Sequence, residues 1–177
     1  MDFTELVKQR YSVRRFTDKP VEKEKLDLCL ESARLAPSAC NSQPWHFIVV
    51  ENPEFKNKLC DAIFSGQYST NKFVKQAPVL VLIASDKGTF ISKVGGFLRD
   101  TQFYLIDIGI AAEHFVLQAA ELGLGTCWIG WFNGKEAKKI LKLPDSVTVD
   151  IVIPVGYAAN DLPAKSRKPI TDIVTYK

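Results

Sequence analysis

The sequence predicts a single domain, residues 1–177, in which helices and strands alternate along the chain. Three observations predict this mixed class: apolar residues at three- and four-residue spacing, short runs of β-branched and aliphatic residues, and proline or glycine between the two patterns. With 46% hydrophobic and 24% charged residues over 177 positions, the chain has the composition of an ordinary folded protein and the length of one domain.

The first half of the chain is predicted to contain three helices and one strand. Residues 2–9 can form a short helix, and VEKEKLDLCLESARLA, starting at Val21, is an amphipathic helix that ends at Pro37. The segment APSACNSQPW, residues 36–45, then interrupts the pattern with small polar residues and two prolines. HFIVVE is predicted to be a buried strand, and residues 54–64 a helix.

The second half is predicted to contain most of the sheet and the longest helix. SGQYSTNKFVKQ has the composition of a polar loop, APVLVLIAS that of a central strand and DKGTFISKVGG that of a flexible connection. The longest helical pattern is FLRDTQFYLIDIGIAAEHFVLQAAELGLG, which ends in a glycine-rich C-cap. TCWIGWF and VTVDIVIPVGY are predicted strands, KEAKKILKL is a short helix, and IVTY could add an edge strand.

The long helix is unusually apolar. Between Asp107 and Gly123 its only formal charges are Glu113 and Glu121, so it needs cover on more than one side. The sheet can cover one side, and a second subunit could cover another, which makes an obligate homodimer a reasonable hypothesis. A central helix that is wholly internal to one chain remains the alternative.

Composition argues against several classes of function. A net charge of +3, spread along the chain, gives little support to nucleic-acid binding. The N-terminus lacks a leader pattern and we expect no apolar run long enough for a bilayer, so we predict a cytoplasmic protein without membrane contact. The four cysteines stand far apart with only two histidines, which suggests neither a metal site nor disulfides; each cysteine is expected to be a small buried residue.

Two basic motifs are candidates for binding an anion. In RYSVRRF, an extended backbone would place Arg10, Ser12 and Arg14 on one face, where two guanidinium groups flank a hydroxyl. Such a row suits a phosphate and the polar edge of an electron-rich ring, although solvated surface arginines are an equal alternative. In AKSRKP, Lys165 and Arg167 would project together and could close around the same phosphate, or could simply be solvated.

Several motifs of common enzyme classes are missing from the sequence. GLGTCW lacks the third glycine of a dinucleotide fingerprint and precedes a strand instead of following one. The sequence has no Walker motif and no G-x-S-x-G, and His46 and His114 have no local nucleophile pattern. Hydrolase chemistry therefore has little support, and both histidines are expected to serve in packing or hydrogen bonding.

Taken together, RYSVRRF, APSACNSQPWHFIVV, DIGIAAEHFVLQAAELGLGTCWIG and IPVGY with AKSRKP resemble the nitroreductase family of FMN-dependent oxidoreductases. The resemblance spans nearly the whole chain. It implies an α+β, three-layer αβα fold with a mainly antiparallel central sheet, in an intimate homodimer that binds FMN at the subunit interface. In this family the C-terminal segment commonly reaches across to the partner, which would give IVTY a strand to join.

The resemblance also assigns cofactor contacts. Arg10, Lys165 and Arg167 correspond to ligands of the FMN phosphate, whereas Ser12 and Arg14 correspond to contacts with the ribityl chain and the pyrimidine edge. The remaining contacts that it implies are Pro37, Ser38, Ala39 and Asn41 from the opposite subunit, Asn71 at the ring edge, and the backbone of Ile129 and Gly130 facing flavin N5. The sequence departs from the family at Ala39, where a second serine is frequent, and at His114, where an asparagine is common.

The implied function is NAD(P)H-dependent reduction of nitroaromatics, quinones or similar acceptors by a ping-pong cycle, with no side chain as an essential acid or base. The chain is shorter than larger members around residues 86–100, which makes Tyr68, Phe73, Phe90 and Phe97 candidates for lining a more open pocket, unless these aromatics simply anchor loops. Dehalogenation, flavin fragmentation and ring dehydrogenation remain alternatives on this fold. A flavin-storage or redox-sensing protein is an alternative of a different class.

Overall fold

A four-stranded antiparallel sheet with helices on both faces forms the centre of the fold. The computed structural model describes residues 2–86, 101–161 and 163–177. The strands are β1 (Trp45–Val50), β2 (Val79–Ser85), β3 (Gly125–Thr126) and β4 (Thr148–Gly156), and their order in the sheet is β1-β2-β4-β3. The predicted α+β class with a mainly antiparallel central sheet is confirmed.

Five α-helices and three 3-10 segments complete the described chain. The helices are α1 (Phe3–Gln9), α2 (Lys23–Arg34), α3 (Pro53–Ile63), α4 (Phe103–Glu121) and α5 (Gly134–Ile140). The 3-10 segments are Ala39–Asn41, Gly66–Gln76 and Ile170–Asp172. The predicted connection after Asp86, the predicted helix start at residues 97–100, and Phe90 and Phe97 lie outside the described residues.

The alternation of side chains along β2 separates two layers of core. Leu80, Leu82 and Ala84 pack in one cluster with residues of α3 and α5, whereas Val79, Val81 and Ile83 pack in another with residues of α2 and α4. Because successive side chains of a strand point to opposite faces, β2 is buried on both sides. The prediction that this strand is central is therefore confirmed.

The long helix α4 covers one face of the sheet. Its buried residues include Ile108, Ala112 and Phe115, and the Phe115 ring lies 6.0 Å from that of Phe47. By length and composition alone α4 could cross a membrane, so the expectation that no run is long enough was wrong; its packing on the sheet is that of a core helix. The glycine C-cap is confirmed, because Gly123 has φ of +76° and Leu124 N–H donates to the Ala119 carbonyl at 2.8 Å.

Two local predictions were wrong, and a third stays untested. TCWIGWF forms strand only at Thr126 and a single bridge at Ile129, because the Asn133 N–H donates to the Ile63 carbonyl at 2.9 Å and draws the chain towards α3. The segment predicted as a polar loop is the 3-10 segment Gly66–Gln76, held by its buried Val74. IVTY does not pair as a strand with the described residues of its own chain, where Ile173 and Tyr176 are exposed, and its pairing with a strand of a second subunit stays a prediction.

The cysteines differ in exposure. Cys29, Cys60 and Cys127 are buried, and burial raises the pKa of Cys29 to about 12 and that of Cys60 to about 11. The expectation that every cysteine is buried fails at Cys40, which is exposed because it lies on the surface turn between α2 and β1. All four thiols are free.

Candidate functional site

Residues 10–16 leave α1 and run beside the short strand β3. The Val13 N–H donates to the Thr126 carbonyl at 2.8 Å, and Ser12 pairs with Thr126 in a parallel bridge. Val13 is buried and meets Gly125 so closely that a Cβ there would lie 2.7 Å from Val13 Cγ2. Glycine at position 125 therefore allows this backbone to pack against β3. That packing sets the position of the backbone that carries the polar side chains of RYSVRRF.

Three predicted ligands surround the buried thiol of Cys127. Burial raises the pKa of the Cys127 thiol, whereas the positive charge of Arg14, a hydrogen bond with the Ser12 side chain and the charge of Arg10 oppose that increase. Arg14 itself is exposed, and its guanidinium donates to the Ser12 carbonyl at 3.4 Å. The folded chain thus brings Arg10, Ser12 and Arg14 to one end of the sheet.

The C-terminal cations join this group. Lys165 Nζ donates to the Val7 carbonyl, at 2.6 Å, in the last turn of α1. The pKa of Lys165 is lowered by burial and then by the positive charges of Arg10 and Arg167. We call Arg10, Lys165 and Arg167 the cation cluster. Lys165 is close enough to both arginines to be repelled by them, and an anion bound beside Lys165 would relieve that repulsion.

A groove and two acidic residues, Glu113 and Asp161, adjoin the cation cluster. The groove has a volume of about 530 Å³, and its walls include Arg10, Lys165 and residues 123–126. Glu113 of α4 faces the cluster: burial raises the pKa of its carboxyl group, while Arg10, a hydrogen bond with Trp128 and, more weakly, Lys165 lower it. Lys8 and Asp161 also line the groove with opposite charges, so Glu113 against the three cations still leaves a net positive charge.

The loop of residues 37–43 contains four predicted ligands, Pro37, Ser38, Ala39 and Asn41. Asp107 of α4 holds this loop: its carboxylate accepts the Ala39 N–H at 2.9 Å and the Ser42 hydroxyl at 3.3 Å. Ser38 Oγ accepts the Gln43 N–H at 3.0 Å, which closes the loop on itself. Asn41 is exposed, and its Oδ1 accepts the Gln43 side-chain amide at 3.0 Å.

Asn71 belongs to a third group, next to Ile129 and Gly130. Its Nδ2 donates to the Trp131 carbonyl at 2.9 Å, and the Trp131 indole donates to the Gln67 carbonyl at 3.2 Å. The rings of Trp131 and Tyr68 lie 5.2 Å apart, although Trp131 is 57% exposed. Trp131 and Tyr68, called here the aromatic shelf, thus form an apolar surface beside the backbone of Ile129 and Gly130.

Sequence reasoning missed two residues of these groups. Asp107 had one signal, a carboxylate within an otherwise apolar helical run, but its partner Ala39 is 68 positions away. Trp131 had no signal, because the pattern of TCWIGWF does not distinguish an exposed tryptophan from a buried one. His114 Nδ1 lies 3.3 Å from the Ser32 carbonyl, across the contact between α2 and α4.

Similarity to known proteins extends over most of the chain. The family model described as "Nitroreductase family" matches residues 7–69 and 65–157. A protein of Methanothermobacter thermautotrophicus named "Putative NADH dehydrogenase/NAD(P)H nitroreductase" is 33% identical over 165 residues, which cover 91% of this chain and 80% of that relative.

Solved structures give the same picture. A nitroreductase family protein from Streptococcus pneumoniae superposes with a TM-score of 0.85 at 27% identity, covering 99% of this chain and 100% of the other. An FMN-dependent nitroreductase from Clostridium difficile has a TM-score of 0.77 at 33% identity, covering 93% and 92% of the two chains.

Proposed function

This chain belongs to the nitroreductase family, and from that membership we propose that it is an FMN-dependent oxidoreductase. It takes electrons from NAD(P)H and passes them to electron-poor acceptors such as nitroaromatics and quinones. The observation that carries the proposal furthest is the cation cluster: Arg10 and Lys165 line a groove beside the docked segment 10–16, and Arg10 and Arg167 both repel Lys165. A phosphate ester is the ligand that this donor set suits best.

In this proposal, residues of the chain hold FMN from its phosphate group to the edge of its ring. The cation cluster would hold the phosphate, Ser12 would contact the ribityl chain, and Arg14 would lie at the pyrimidine edge. A cation at that edge stabilises the negative charge that reduction leaves on the ring, so Arg14 favours the reduced cofactor. When bound, FMN supplies the redox chemistry at its N5 position, so the protein needs no side chain as an essential acid or base.

The aromatic shelf bears on the substrates. Asn71 and the Gln67 carbonyl hold Trp131, and the Tyr68 ring packs against it, so the two rings offer an apolar wall beside Ile129 and Gly130. We infer that the nicotinamide and the acceptor occupy this space in turn, which is the arrangement that a ping-pong cycle needs. A planar aromatic acceptor gains most from such a wall.

A second copy of the chain completes the site. The loop 37–43 is tied to α4 by Asp107, and α4 leaves Leu105 and Ile106 43% and 52% exposed. Apolar residues so exposed on a core helix favour cover by another subunit. In the dimer that we propose, the loop of one chain meets the flavin held by the cation cluster of the other.

Ile106→Glu should yield a monomer that binds FMN poorly, because a carboxylate would be buried in the interface without a partner. Light scattering after size-exclusion chromatography measures the mass, and fluorescence titration measures FMN binding. Phe55→Glu is the control, since Phe55 is 37% exposed on α3, on the other face of the sheet. A wild-type protein that is monomeric at micromolar concentration would contradict the dimer.

FMN affinity should fall at alkaline pH. The pKa of Lys165 is lowered, and a bound phosphate would raise it again by favouring the ammonium form. FMN affinity is therefore highest below the pKa of Lys165 in the FMN-free protein and declines as the pH rises through that pKa. The decline begins at a lower pH than the titration of an ordinary lysine. Dissociation constants from about pH 7 to about pH 10 test this. In Lys165→Arg the decline should disappear, while the titration of the flavin itself stays the same.

The proposed function is tested by purification and visible spectroscopy. We expect a yellow protein whose released cofactor is FMN, whose absorbance bleaches anaerobically with NADH or NADPH, and which regains colour with a nitroaromatic or a quinone. A protein that neither carries nor binds FMN would overturn the proposal. A bound flavin that is inert to both nicotinamides would instead favour storage or sensing.

A further inference from the structure

Asp107 is one of the few charged residues buried in the described chain. It is 3% exposed, in the first half of the apolar helix α4. Its two oxygens accept from neutral donors, the Ala39 N–H at 2.9 Å and the Ser42 hydroxyl at 3.3 Å, and both donors belong to one loop. A buried carboxylate is costly unless hydrogen bonds compensate it, so these two bonds hold the loop and the carboxylate to each other.

The backbone of this loop has an unusual conformation. Cys40, Asn41 and Gln43 have φ of 54°, 51° and 44°, in the left-handed region that residues other than glycine rarely adopt. Such conformations cost free energy and persist where surrounding contacts fix them. Within the loop, the Gln43 N–H donates to Ser38 Oγ at 3.0 Å, the Gln43 side chain donates to Asn41 Oδ1 at 3.0 Å and to the Asn41 carbonyl at 3.3 Å, and the Asn41 and Ser42 N–H groups donate to the Ser38 and Ala39 carbonyls at 3.0 and 3.1 Å. The two bonds to Asp107 are the remaining contacts of this set.

Among these contacts, only the bonds to Asp107 join the loop to the rest of the protein, because the others lie within the loop. The same helix presents Glu113 to the cation cluster, six residues or about 9 Å further along its axis. One helix thus positions the loop and adjoins the cation cluster, and in the proposed dimer the loop serves the partner's flavin while the cluster serves the chain's own.

We propose that Asp107 is a positioning residue for the flavin site: it holds residues 38–43 in the left-handed conformation with which they meet the FMN bound to a second copy of the chain. This inference rests on the proposed function and adds a residue to it. Asp107 touches no substrate or cofactor; it acts through the backbone of Ala39 and the side chain of Ser42.

The experiment compares Asp107→Ala, Asp107→Asn and Ser42→Ala in the full-length protein. Asp107→Ala should weaken FMN binding by about tenfold or more, because the loop loses both bonds to α4. Asp107→Asn should restore most of the affinity, since its carbonyl oxygen can still accept the Ala39 N–H. Ser42→Ala, which removes one bond, should show a smaller loss.

Ser32→Ala is the matched control. It removes a bond of 3.0 Å from Ser32 Oγ to Gln118 Oε1, between α2 and α4, away from the loop. Its FMN affinity should equal that of the wild type. The thermal unfolding temperature of each apoprotein shows whether a variant is destabilised as a whole. If Asp107→Ala and a control variant lose the same stability, the proposal requires that Asp107→Ala lose more FMN affinity than the control.

A second readout does not depend on the cofactor. Cys40 lies in the loop with an exposed thiol, so its labelling rate by a disulfide reagent reports the loop's conformation in the apoprotein. We expect Asp107→Ala to change that rate and Asp107→Asn to restore it. Unchanged FMN affinity and unchanged Cys40 labelling in Asp107→Ala would overturn the inference. If the wild type itself bound no FMN, the proposed function would fail, and the labelling rates would still decide whether Asp107 holds the loop.

Discussion

Replacing Arg10 and Arg167 together by alanine should weaken FMN binding by about two to four orders of magnitude. Each guanidinium would lose a charge-assisted contact with the phosphate, and such contacts are worth about 1.5–3 kcal/mol each. Since both residues also repel Lys165, the double variant should move the Lys165 pKa back towards the ordinary value for lysine. Fluorescence titration of the apoprotein with FMN gives the affinity.

A double variant with the same loss of charge is the control. Lys23 and Arg34 both lie on α2 and pair with Asp27 and Glu31 at 2.7 Å and 2.6 Å on the surface. Their replacement by alanine should leave FMN binding close to that of the wild type, because exposed pairs contribute little. Riboflavin, which lacks the phosphate, should bind the wild type and Arg10→Ala/Arg167→Ala similarly. Equal FMN affinity in the two double variants would refute the phosphate assignment.

Much of the fold could be predicted because its signals are local. The run from Val79 to Ser85 is long enough for a strand and too short for a typical helix, and the structure has it as the central strand. The end of α4 could be predicted because Gly123 readily adopts the positive φ that stops the helix. TCWIGWF could not be resolved in this way, since its departure from the sheet depends on a hydrogen bond from Asn133 to Ile63, far away in the sequence.

In the candidate site, too, features with a local sequence signal could be predicted, and features that depend on contacts between distant residues could not. Arg10, Ser12 and Arg14 stand in one motif, so their spacing alone makes them candidates, and their role as ligands stays a prediction. The contact between Asp107 and Ala39 could not be foreseen, because it joins residues 68 positions apart through packing. The shelf of Trp131 and Tyr68 depends likewise on a meeting of two distant segments.

Gly125→Ala should lower both the stability of the protein and its affinity for FMN. The new Cβ would lie 2.7 Å from Val13 Cγ2, and Val13 is buried, so the segment 10–14 would have to move. Overpacking of this kind costs about 1–3 kcal/mol in the free energy of unfolding. A shift of Arg10, Ser12 and Arg14 should add about a tenfold loss of FMN affinity, equivalent to one displaced contact. Thermal unfolding and FMN titration measure the two effects separately.

Two further variants show whether the contact with Val13 is the cause. In Gly134→Ala the new Cβ would have Val149 O at 3.6 Å as its nearest neighbour, an ordinary contact, so stability and binding should barely change. Val13→Ala creates room for the added methyl group, so Val13→Ala/Gly125→Ala should bind FMN more tightly than Gly125→Ala alone. If the losses of FMN affinity in the two single variants simply add in the double variant, the two positions act independently. The packing of segment 10–16 against β3 would then not set the position of the phosphate ligands.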